Sequence, residues 1–217
     1  MSLAIFDLDN TLLAGDSDHS WGEFMVESKI VDEISFKQSN DQFYEDYKAG
    51  CLNIEAYVAF ALSPLQGMEE AQQRALHATF LERKIKPLML PKAQQLIDKH
   101  RNAGDTLMII TATNRIITGP IAKLLGIDIL LATDPEIIDG QITGKIAGVP
   151  CFQDGKVKRL AQWLENSEET LEGSFFYSDS FNDIPLLEQV SYPFAVDPDE
   201  KLQQHAQERG WPVISLR

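Results

Sequence analysis

The strongest constraint on the fold of this chain is a series of short apolar runs that alternate with helix-like segments. Runs of this kind, apolar on both faces, are typical of strands in a buried parallel sheet, because helices cover both faces of such a sheet. The alternation therefore predicts an α/β fold, a three-layer sandwich around a parallel sheet. The predicted strands are residues 3–6, 106–110, 127–132, 174–177 and 192–196, and the predicted helices are residues 92–103, 115–125, 157–166 and 183–189.

Residues 16–86 break this alternation and carry a helical periodicity instead. Apolar side chains recur there at spacings of three and four residues, for example at Ile54, Tyr57 and Val58. The stretch has no strand pattern, so we expect an all-helical insertion after the first strand, with its aromatic residues forming its own core. The expected division is an α/β core of residues 1–15 and 87–217 and an inserted helical domain of residues 16–86.

The composition indicates which classes of partner the protein can bind and in which cellular compartment it is expected. The 217 residues carry a formal net charge of −14, so the surface repels nucleic acids and anionic membranes. The two cysteines, Cys51 and Cys151, have no metal-ligand spacing and fit a reducing compartment. His77, His100 and His205 also lack ligand spacing and are expected on helix surfaces. With no signal peptide or membrane-spanning run in the pattern, we expect a cytoplasmic protein that binds neither nucleic acid nor membranes.

Two carboxylates follow the first predicted strand, in the motif DLDNT at residues 7–11. Ligands of open α/β sheets bind beyond the carboxyl ends of the strands, which is where these residues are expected. Asp7 and Asp9 can divide the chemistry of a phosphate ester, because one carboxylate can attack phosphorus while the other, when protonated, gives a proton to the leaving oxygen. For the motif alone, a solvated acidic turn is the alternative.

A second acidic motif, SDSFND at residues 178–183, follows the predicted strand 174–177. Mg²⁺ prefers oxygen ligands in octahedral geometry and usually keeps water and substrate phosphate in its shell. Asp7, Asp179 and a backbone carbonyl near Asp9 can supply the protein ligands of such a site. The structural alternative is that Asn182 or Asp183 caps the helix that follows.

Two further features are weak by themselves. Thr111 lies between a predicted strand and a helix expected to begin near Asn114, a position that suits either phosphate binding at a helix N-terminus or a simple cap. Lys156 and Lys158 open another predicted helix. One of them can neutralise a phosphate, and solvated surface lysines are the alternative.

Together the four motifs resemble those of the haloacid dehalogenase superfamily of phosphohydrolases. In that family DxDxT follows an apolar strand, Ser or Thr ends a second strand, a lysine opens a helix, and GDGxxD or GDxxxD follows a further strand. This chain departs from the family pattern by having serine twice where the last motif has glycine, which leaves the acidic positions in place. The corresponding residues are the motif at 7–11, Thr111, Lys156 (favoured over Lys158 by its spacing to Leu160) and the motif at 178–183.

The resemblance implies a Rossmann-like core with the helical insertion as a cap, and a role for each motif. Asp7 would form an aspartyl-phosphate, Asp9 would act as general acid and then base, and Thr111 with Lys156 would hold the phosphoryl oxygens. It also implies Mg²⁺ as the cofactor. The implied metal site is Asp7, Asp9 through its carbonyl, Asp179 and Asp183, and the implied phosphate contact is Asn182.

The insertion and an Asp-Gly hairpin predicted at residues 137–142 resemble the cap and hairpin of the phosphoserine-phosphatase-like branch. Asp16, Asp18 and His19 lie where such a cap is hinged and are candidate substrate-binding residues, although His19 can equally be a satisfied hinge residue. The insertion is rich in acids, and Arg74 is its one obvious cation for a substrate carboxylate. An acidic pocket favours an amino-alcohol phosphate such as histidinol phosphate, the activity often assigned to chains that open FDLDNTLLAGDSDH, and with it a place in amino-acid biosynthesis.

Three functions remain open on the sequence. A phosphomonoesterase acting on a small phosphorylated metabolite is favoured because both Asp7 and Asp9 are present, with phosphoserine as the alternative substrate. A phosphotransferase would use the same residues. A non-catalytic binding protein is disfavoured, because no catalytic position has been lost. Both a monomer and a homodimer fit the sequence.

Overall fold

The computed structural model describes residues 2–217, in which a six-stranded parallel sheet and a separate β-hairpin are combined with nine α-helices. None of these helices, within residues 2–217, is long and apolar enough to cross a membrane. The strands are β1 (Leu3–Phe6), β2 (Thr106–Asn114), β3 (Ile129–Thr133), β4 (Pro135–Ile138), β5 (Gln141–Ile146), β6 (Phe175–Ser178), β7 (Tyr192–Val196) and β8 (Val213–Ile214). The helices are α1 (Ser17–Glu27), α2 (Glu33–Ala49), α3 (Ile54–Leu62), α4 (Glu70–Phe80), α5 (Pro91–Ala103), α6 (Arg115–Leu124), α7 (Asp154–Leu164), α8 (Ile184–Leu187) and α9 (Glu200–Arg209).

The sheet has the order β3-β2-β1-β6-β7-β8, and β1 lies in its interior. Every residue of β1 is buried, because helices cover both faces. Ala4 and Phe6 face the apolar layer that includes α5 and α6, while Leu3 and Ile5 face the layer that includes α7, α8 and α9. The prediction of an α/β sandwich around a parallel sheet, with an all-helical insertion after the first strand, is confirmed.

The bounds of several elements differ from those predicted. β1 and β7 have the predicted limits, but β2 continues to Asn114, which pairs with Thr133 beyond an irregularity in the register. The expectation that this strand ends at Ile110, with Thr111 just beyond it, was therefore wrong. The hairpin β4–β5 turns at Asp139 and Gly140 as predicted, and both residues have positive φ.

Four helices, α1 to α4, are inserted between β1 and α5, and residues 16–86 contain no strand. Trp21, Phe24 and Phe80 pack together with ring centroids 5.0 to 5.9 Å apart. They join the apolar layer of α5 and α6, so the insertion packs on one side of the sheet. Its two ends are held together where Leu13 bridges Met89.

His100 is a correction to the expectation that it lies on a helix surface. It is 3% exposed, because it lies on the face of α5 that packs against the sheet. Its Nδ1 lies 2.9 Å from a carboxylate oxygen of Asp105, and its Nε2 lies 2.9 Å from the hydroxyl of Tyr177. Both ring nitrogens thus have hydrogen-bond partners within the packed core, as a structural histidine requires.

The packing of α1 on α2 gives a stability prediction at Gly22. A Cβ there would lie 2.1 Å from Oδ1 of the buried Asn40, whose Nδ2 donates to the His19 carbonyl at 3.0 Å. Overpacking costs about 1–3 kcal/mol, more than the roughly 1 kcal/mol that alanine gains over glycine in a helix. We expect Gly22→Ala to lower the free energy of unfolding by up to about 2 kcal/mol in urea titrations.

The matched control is Gly119→Ala in α6. Among the described residues, no heavy atom beyond its own helix and neighbours lies within 4 Å of a Cβ at Gly119. Because Gly119 precedes Pro120, whose ring disfavours a helical residue with a Cβ before it, alanine loses much of its helix advantage here. We expect this variant to change the free energy of unfolding by less than about 0.5 kcal/mol. Equal changes in the two variants would show that the contact with Asn40 has no energetic weight.

Candidate active site

Polar residues from three neighbouring strands converge at the carboxyl edge of the sheet. Asp7 directly follows β1, Thr111 lies in the last part of β2, and Asp179 directly follows β6. Because these strands are adjacent and parallel, their ends bring residues distant in sequence to one place.

A buried lysine lies at the centre of this cluster. Lys156 is 2% exposed, and its Nζ lies 2.7 Å from Oδ1 of Asp7 and 2.7 Å from Oδ2 of Asp183. Asp183 also accepts a hydrogen bond from the Ser178 hydroxyl at 2.7 Å. Although burial disfavours the charged ammonium, Asp183 and Asp7 raise the pKa of Lys156 well above its ordinary value, so it stays a cation.

The chain turn before Lys156 fixes its position. At Gly155, a Cβ would lie 2.0 Å from the Pro150 carbonyl oxygen, so the two backbone segments can approach this closely only with glycine. Lys156 therefore points from the first turn of α7 into the cluster, whereas Lys158 is exposed.

The carboxylates outnumber this cation. Burial raises the pKa of Asp7 to about 7, against the effect of Lys156 and with contributions from Asp183 and Asp9. Burial, followed by Asp7 and Asp183, also raises the pKa of Asp179 well above its ordinary value. The cluster therefore attracts further positive charge.

The Thr11 hydroxyl bridges the carboxylates of Asp7 and Asp179. It lies 3.1 Å from Oδ1 of Asp179 and 3.4 Å from Oδ2 of Asp7, and it accepts from the Asp179 amide at 3.1 Å. Asp7 and Asp179 are thus held side by side, while Asp183 is directed to Lys156.

Asp9 is held between α1 and β2. Its Oδ1 accepts from the Ser17 amide at 2.6 Å, and its Oδ2 accepts from the Thr113 hydroxyl at 2.9 Å and lies 3.5 Å from the Thr111 hydroxyl. Burial and the nearby Asp16 raise the pKa of Asp9 to about 6, although the hydrogen bonds from Ser17 and Thr113 lower it. A carboxyl group with this pKa can both give and accept a proton near neutral pH.

Thr111 has different surroundings from those expected. It lies inside β2, and α6 begins only at Arg115, with Asn114 as its N-cap. The Thr111 hydroxyl accepts from the Thr113 amide at 3.2 Å. Its amide partner therefore comes from β2 itself and not from a helix N-terminus.

Above Asp7 and Asp9 lies a closed pocket between the sheet edge and the inserted helices. Its cavity volume is about 30 Å³, room for about two water molecules, so a metabolite can enter only when the side chains or helices that line it move apart. The inserted segment lines it with acids and aromatic rings: Asp16, Asp18, His19, Phe43, Tyr44, Tyr47 and Tyr57. The expectation that the aromatic residues of the insertion form only its own core is therefore corrected for these rings.

The three hinge candidates line this pocket but differ in their partners. Asp16 caps α1 by accepting from the His19 amide at 2.7 Å. His19 lies 3.0 Å from a carboxylate oxygen of Asp41, and its ring packs on Tyr44 with centroids 4.7 Å apart. Asp18 is 7% exposed, and its Oδ1 has no hydrogen-bond partner among residues 2–217. Burial, then Asp16 and Asp9, raises the pKa of Asp18 well above its ordinary value, although hydrogen bonds from Tyr57 and Thr113 lower it.

Asn182 lies in the neighbouring groove that contains Asp179. Its Oδ1 accepts from Nε2 of Gln153 at 3.1 Å, and its Nδ2 lies 3.5 Å from the Tyr47 carbonyl oxygen. Asn182 therefore joins the core to the end of α2, beside the carboxylate cluster.

The sequence patterns did not identify Thr113, Tyr57 or Gln153 as residues of the site. Thr113 follows Thr111 by two residues and so lies on the same face of β2, a period that identifies it once the strand is extended to Asn114. Tyr57 and Gln153 reach the site only through tertiary packing, and no local signal marks them.

Known proteins resemble this chain along most or all of its length. The model of the haloacid dehalogenase-like hydrolases matches residues 4–188. A protein of Neisseria meningitidis serogroup C named histidinol-phosphatase is 41% identical, with 100% of this chain and 99% of that protein covered. A crystal structure of a protein with unknown function from Bordetella pertussis Tohama I is 42% identical, with a TM-score of 0.92 and coverage of 100% and 99%. A substrate-bound phosphoserine phosphatase complex, 17% identical with a TM-score of 0.71 and coverage of 100% and 93%, shares the fold.

Proposed function

The chain belongs to the haloacid dehalogenase-like hydrolase family and is a phosphoric monoester hydrolase, and we propose that it is a magnesium-dependent phosphatase with Asp7 as nucleophile and histidinol phosphate as substrate. The observation that carries the proposal is the buried cluster in which Asp7 lies 2.7 Å from Lys156, with Asp9 held nearby by Ser17 and Thr113. We propose residues 16–86 as the cap and residues 1–15 and 87–217 as the core.

The donor set fits Mg²⁺. Among residues 2–217, no three His, Cys, Asp or Glu side chains form a ready-made ligand group. Mg²⁺ does not need one, because it is usually bound by one or two carboxylates with water and substrate phosphate completing the shell. Asp7 and Asp179, joined by Thr11, would hold it together with the Asp9 carbonyl, and Asp183 would support the site through Lys156. When bound, the metal supplies positive charge that screens the attacking carboxylate from the phosphoryl oxygens.

The proposed reaction has two steps. A carboxylate oxygen of Asp7 attacks phosphorus, the ester P–O bond breaks, and the protonated Asp9 gives its proton to the leaving oxygen. Water then attacks phosphorus, Asp9 takes a proton from it, and the bond to Asp7 breaks to release phosphate. Lys156, Thr111 and Asn182 would hold the phosphoryl oxygens during both steps.

The acids that line the pocket favour a substrate whose leaving alcohol carries a positive charge. Asp18 is buried with an oxygen that has no partner within the described residues, and such a carboxylate is costly unless a cation or donor reaches it. An ammonium or imidazolium group supplies both, and the rings of Tyr44, Tyr47 and Tyr57 suit it as well. His19, already bonded to Asp41, would serve as a wall of the pocket.

Phosphoserine is disfavoured by the same pocket. Among the described residues, neither Lys nor Arg lines it, and Arg74 is exposed and paired with Glu70. A substrate carboxylate would therefore meet Asp16 and Asp18 without a cation. A protein of Mycobacterium tuberculosis named phosphoserine phosphatase SerB1 is 30% identical to this chain, so phosphoserine is included among the substrates to be tested. Histidinol phosphate would place the enzyme in amino-acid biosynthesis.

The test is phosphate release from small phosphomonoesters by the wild type and by the double variant Asp16→Asn/Asp18→Asn. A close, buried ion pair is worth about 1–3 kcal/mol, so we expect kcat/KM for histidinol phosphate to fall roughly tenfold to a hundredfold. Asparagine can still cap α1. Loss of Asp16 lowers the pKa of Asp9, so each variant is measured at its own pH optimum, where hydrolysis of a neutral aryl phosphate should change little.

The charge-matched control is Glu33→Gln/Glu55→Gln, which removes two exposed acids of the cap helices and should leave both activities unchanged. Equal losses for both substrates in the hinge variant would assign Asp16 and Asp18 to folding or cap closure. A wild type that prefers phosphoserine would refute the acidic-pocket argument, and transfer of phosphate to an added alcohol would identify a phosphotransferase.

A further inference from the structure

Gln153 occupies a strained position in the turn that leads into α7. Its backbone has φ 49° and ψ −124°, and the Gly155 amide donates to the Phe152 carbonyl across the turn at 2.8 Å. These dihedral angles belong to the first central position of a type II′ turn, which favours glycine. A glutamine there carries backbone strain that glycine would not, so we expect its side chain to make interactions that glycine cannot supply.

The side chain of Gln153 connects two other segments. Its Nε2 donates to Oδ1 of Asn182 at 3.1 Å and lies 3.4 Å from the carbonyl oxygen of Gly50. Although Gln153 stands at the N-cap of α7, its side chain makes no capping hydrogen bond to that helix. Its contacts are therefore with the groove at Asp179 and with the end of α2.

The end of α2 rests on this turn and on the motif at 178–183. Gly50 has φ 78°, and a Cβ there would lie 2.8 Å from the Phe181 ring. The ring of Tyr47, one turn earlier, has its centroid 6.0 Å from that of Phe152. Tyr47 lines both the pocket at Asp7 and the groove at Asp179, so the docking of α2 sets how the reaction centre is covered.

We infer that Gln153 is a positioning residue that holds the Asn182 amide with its N–H groups directed to the phosphate site. The inference rests on the proposed function, because it takes Asn182 as a phosphate contact. An amide nitrogen donates to a phosphoryl oxygen, whereas the amide oxygen repels it, so the orientation of Asn182 decides whether the contact is attractive. Within residues 2–217, the bond from Gln153 occupies Oδ1, while Nδ2 makes one long hydrogen bond, 3.5 Å, to the Tyr47 carbonyl oxygen, which leaves its second N–H for a phosphoryl oxygen. The contact of the same Nε2 with Gly50 couples this orientation to the docked position of α2.

Two variants test the inference. Gln153→Met keeps the length of the side chain and removes the donor, while Gln153→Gly removes the side chain and the backbone strain. We expect each to lower kcat/KM for a neutral aryl phosphate about tenfold and to weaken inhibition by inorganic phosphate by a similar factor. Gln153→Gly should nevertheless unfold at the wild-type temperature or above it, which a purely structural role would not allow. Gln162→Met, an exposed change on the same helix, should alter none of these quantities.

The background of Asn182→Ala shows whether Gln153 acts through Asn182. There, adding Gln153→Met should change kcat/KM less than about twofold, because the group it positions is gone. A full tenfold loss in that background, or no loss in the otherwise wild-type chain, overturns the inference.

A binding measurement separates this inference from the proposed function. The shift in Tm caused by inorganic phosphate needs no turnover. If the wild type hydrolyses no phosphomonoester while Gln153→Met loses the phosphate-induced shift, the proposed function fails and the positioning of Asn182 stands. If the wild type is active and the Gln153 variants match it in activity and phosphate binding, only the inference fails.

Discussion

Asp7→Asn is expected to reduce turnover by at least about a thousandfold, because an amide cannot attack phosphorus and nucleophile replacements have effects of this size or larger. The fold should persist, since Asn has the shape of Asp and Lys156 keeps its contact with Asp183. Phosphate release with a neutral aryl phosphate measures the loss.

The same variant carries a prediction for stability. Burial raises the pKa of Asp7 from 3.8 to about 7, so ionising this carboxyl lowers the stability of the metal-free protein as pH rises through that interval. Asparagine does not ionise. In EDTA at pH 8, the Tm of Asp7→Asn should therefore equal or exceed that of the wild type, while near pH 4 this advantage should be absent. Turnover within tenfold of wild type, in protein free of contaminating phosphatase, would remove Asp7 from the nucleophile role.

Chelation and the loss of Asp179 are expected to have a comparably large effect. EDTA should abolish activity and added Mg²⁺ should restore it, because Asp7 and Asp179 lie together in a cluster with more carboxylates than cations. Asp179→Ala should stay inactive at millimolar Mg²⁺, since one of the two proposed carboxylate ligands is gone.

Direct titration with Mg²⁺ in a calorimeter gives a second measurement that needs no turnover. The wild type should bind and Asp179→Ala should not, while Glu168→Ala, an exposed acid on the loop after α7, should bind as the wild type does. Full activity of the wild type in metal-free buffer would contradict the magnesium assignment.

The sheet could be predicted because its interior strands, such as β1, are buried on both faces and its strands read as short apolar runs. β1 and β7 read as uninterrupted apolar runs, and burial of Leu3 to Phe6 is complete. α9 could not be predicted in the same way, because only Leu202 and Ala206 of its ten residues are buried and no apolar stripe results. β8 has two residues, too few for any periodicity.

The candidate site divides along a similar line. Asp7, Asp9, Asp179 and Lys156 belong to motifs whose spacing survives in the sequence, and the structure brings them together. The residues that hydrogen-bond to these carboxylates could not be found from the motifs. The hydroxyl that binds Asp9, for example, belongs to Thr113, beyond the predicted end of its strand. The sequence pattern also could not distinguish Asp16, which caps a helix, from Asp18, whose oxygen has no partner within residues 2–217.

The place of the inserted helices along the chain has a consequence for the order of folding. β1 is synthesised before β2, yet Leu3 must wait for Thr106 before these two strands can pair. Closing so long a loop is slow, because chain entropy is lost before any pairing energy is gained. An insertion that folds early changes this, since its ends meet at Leu13 and Met89 and leave only the turn after β1 on one side and α5 on the other. We expect the helices that cover the reaction centre also to speed the search by which the nascent chain assembles its sheet.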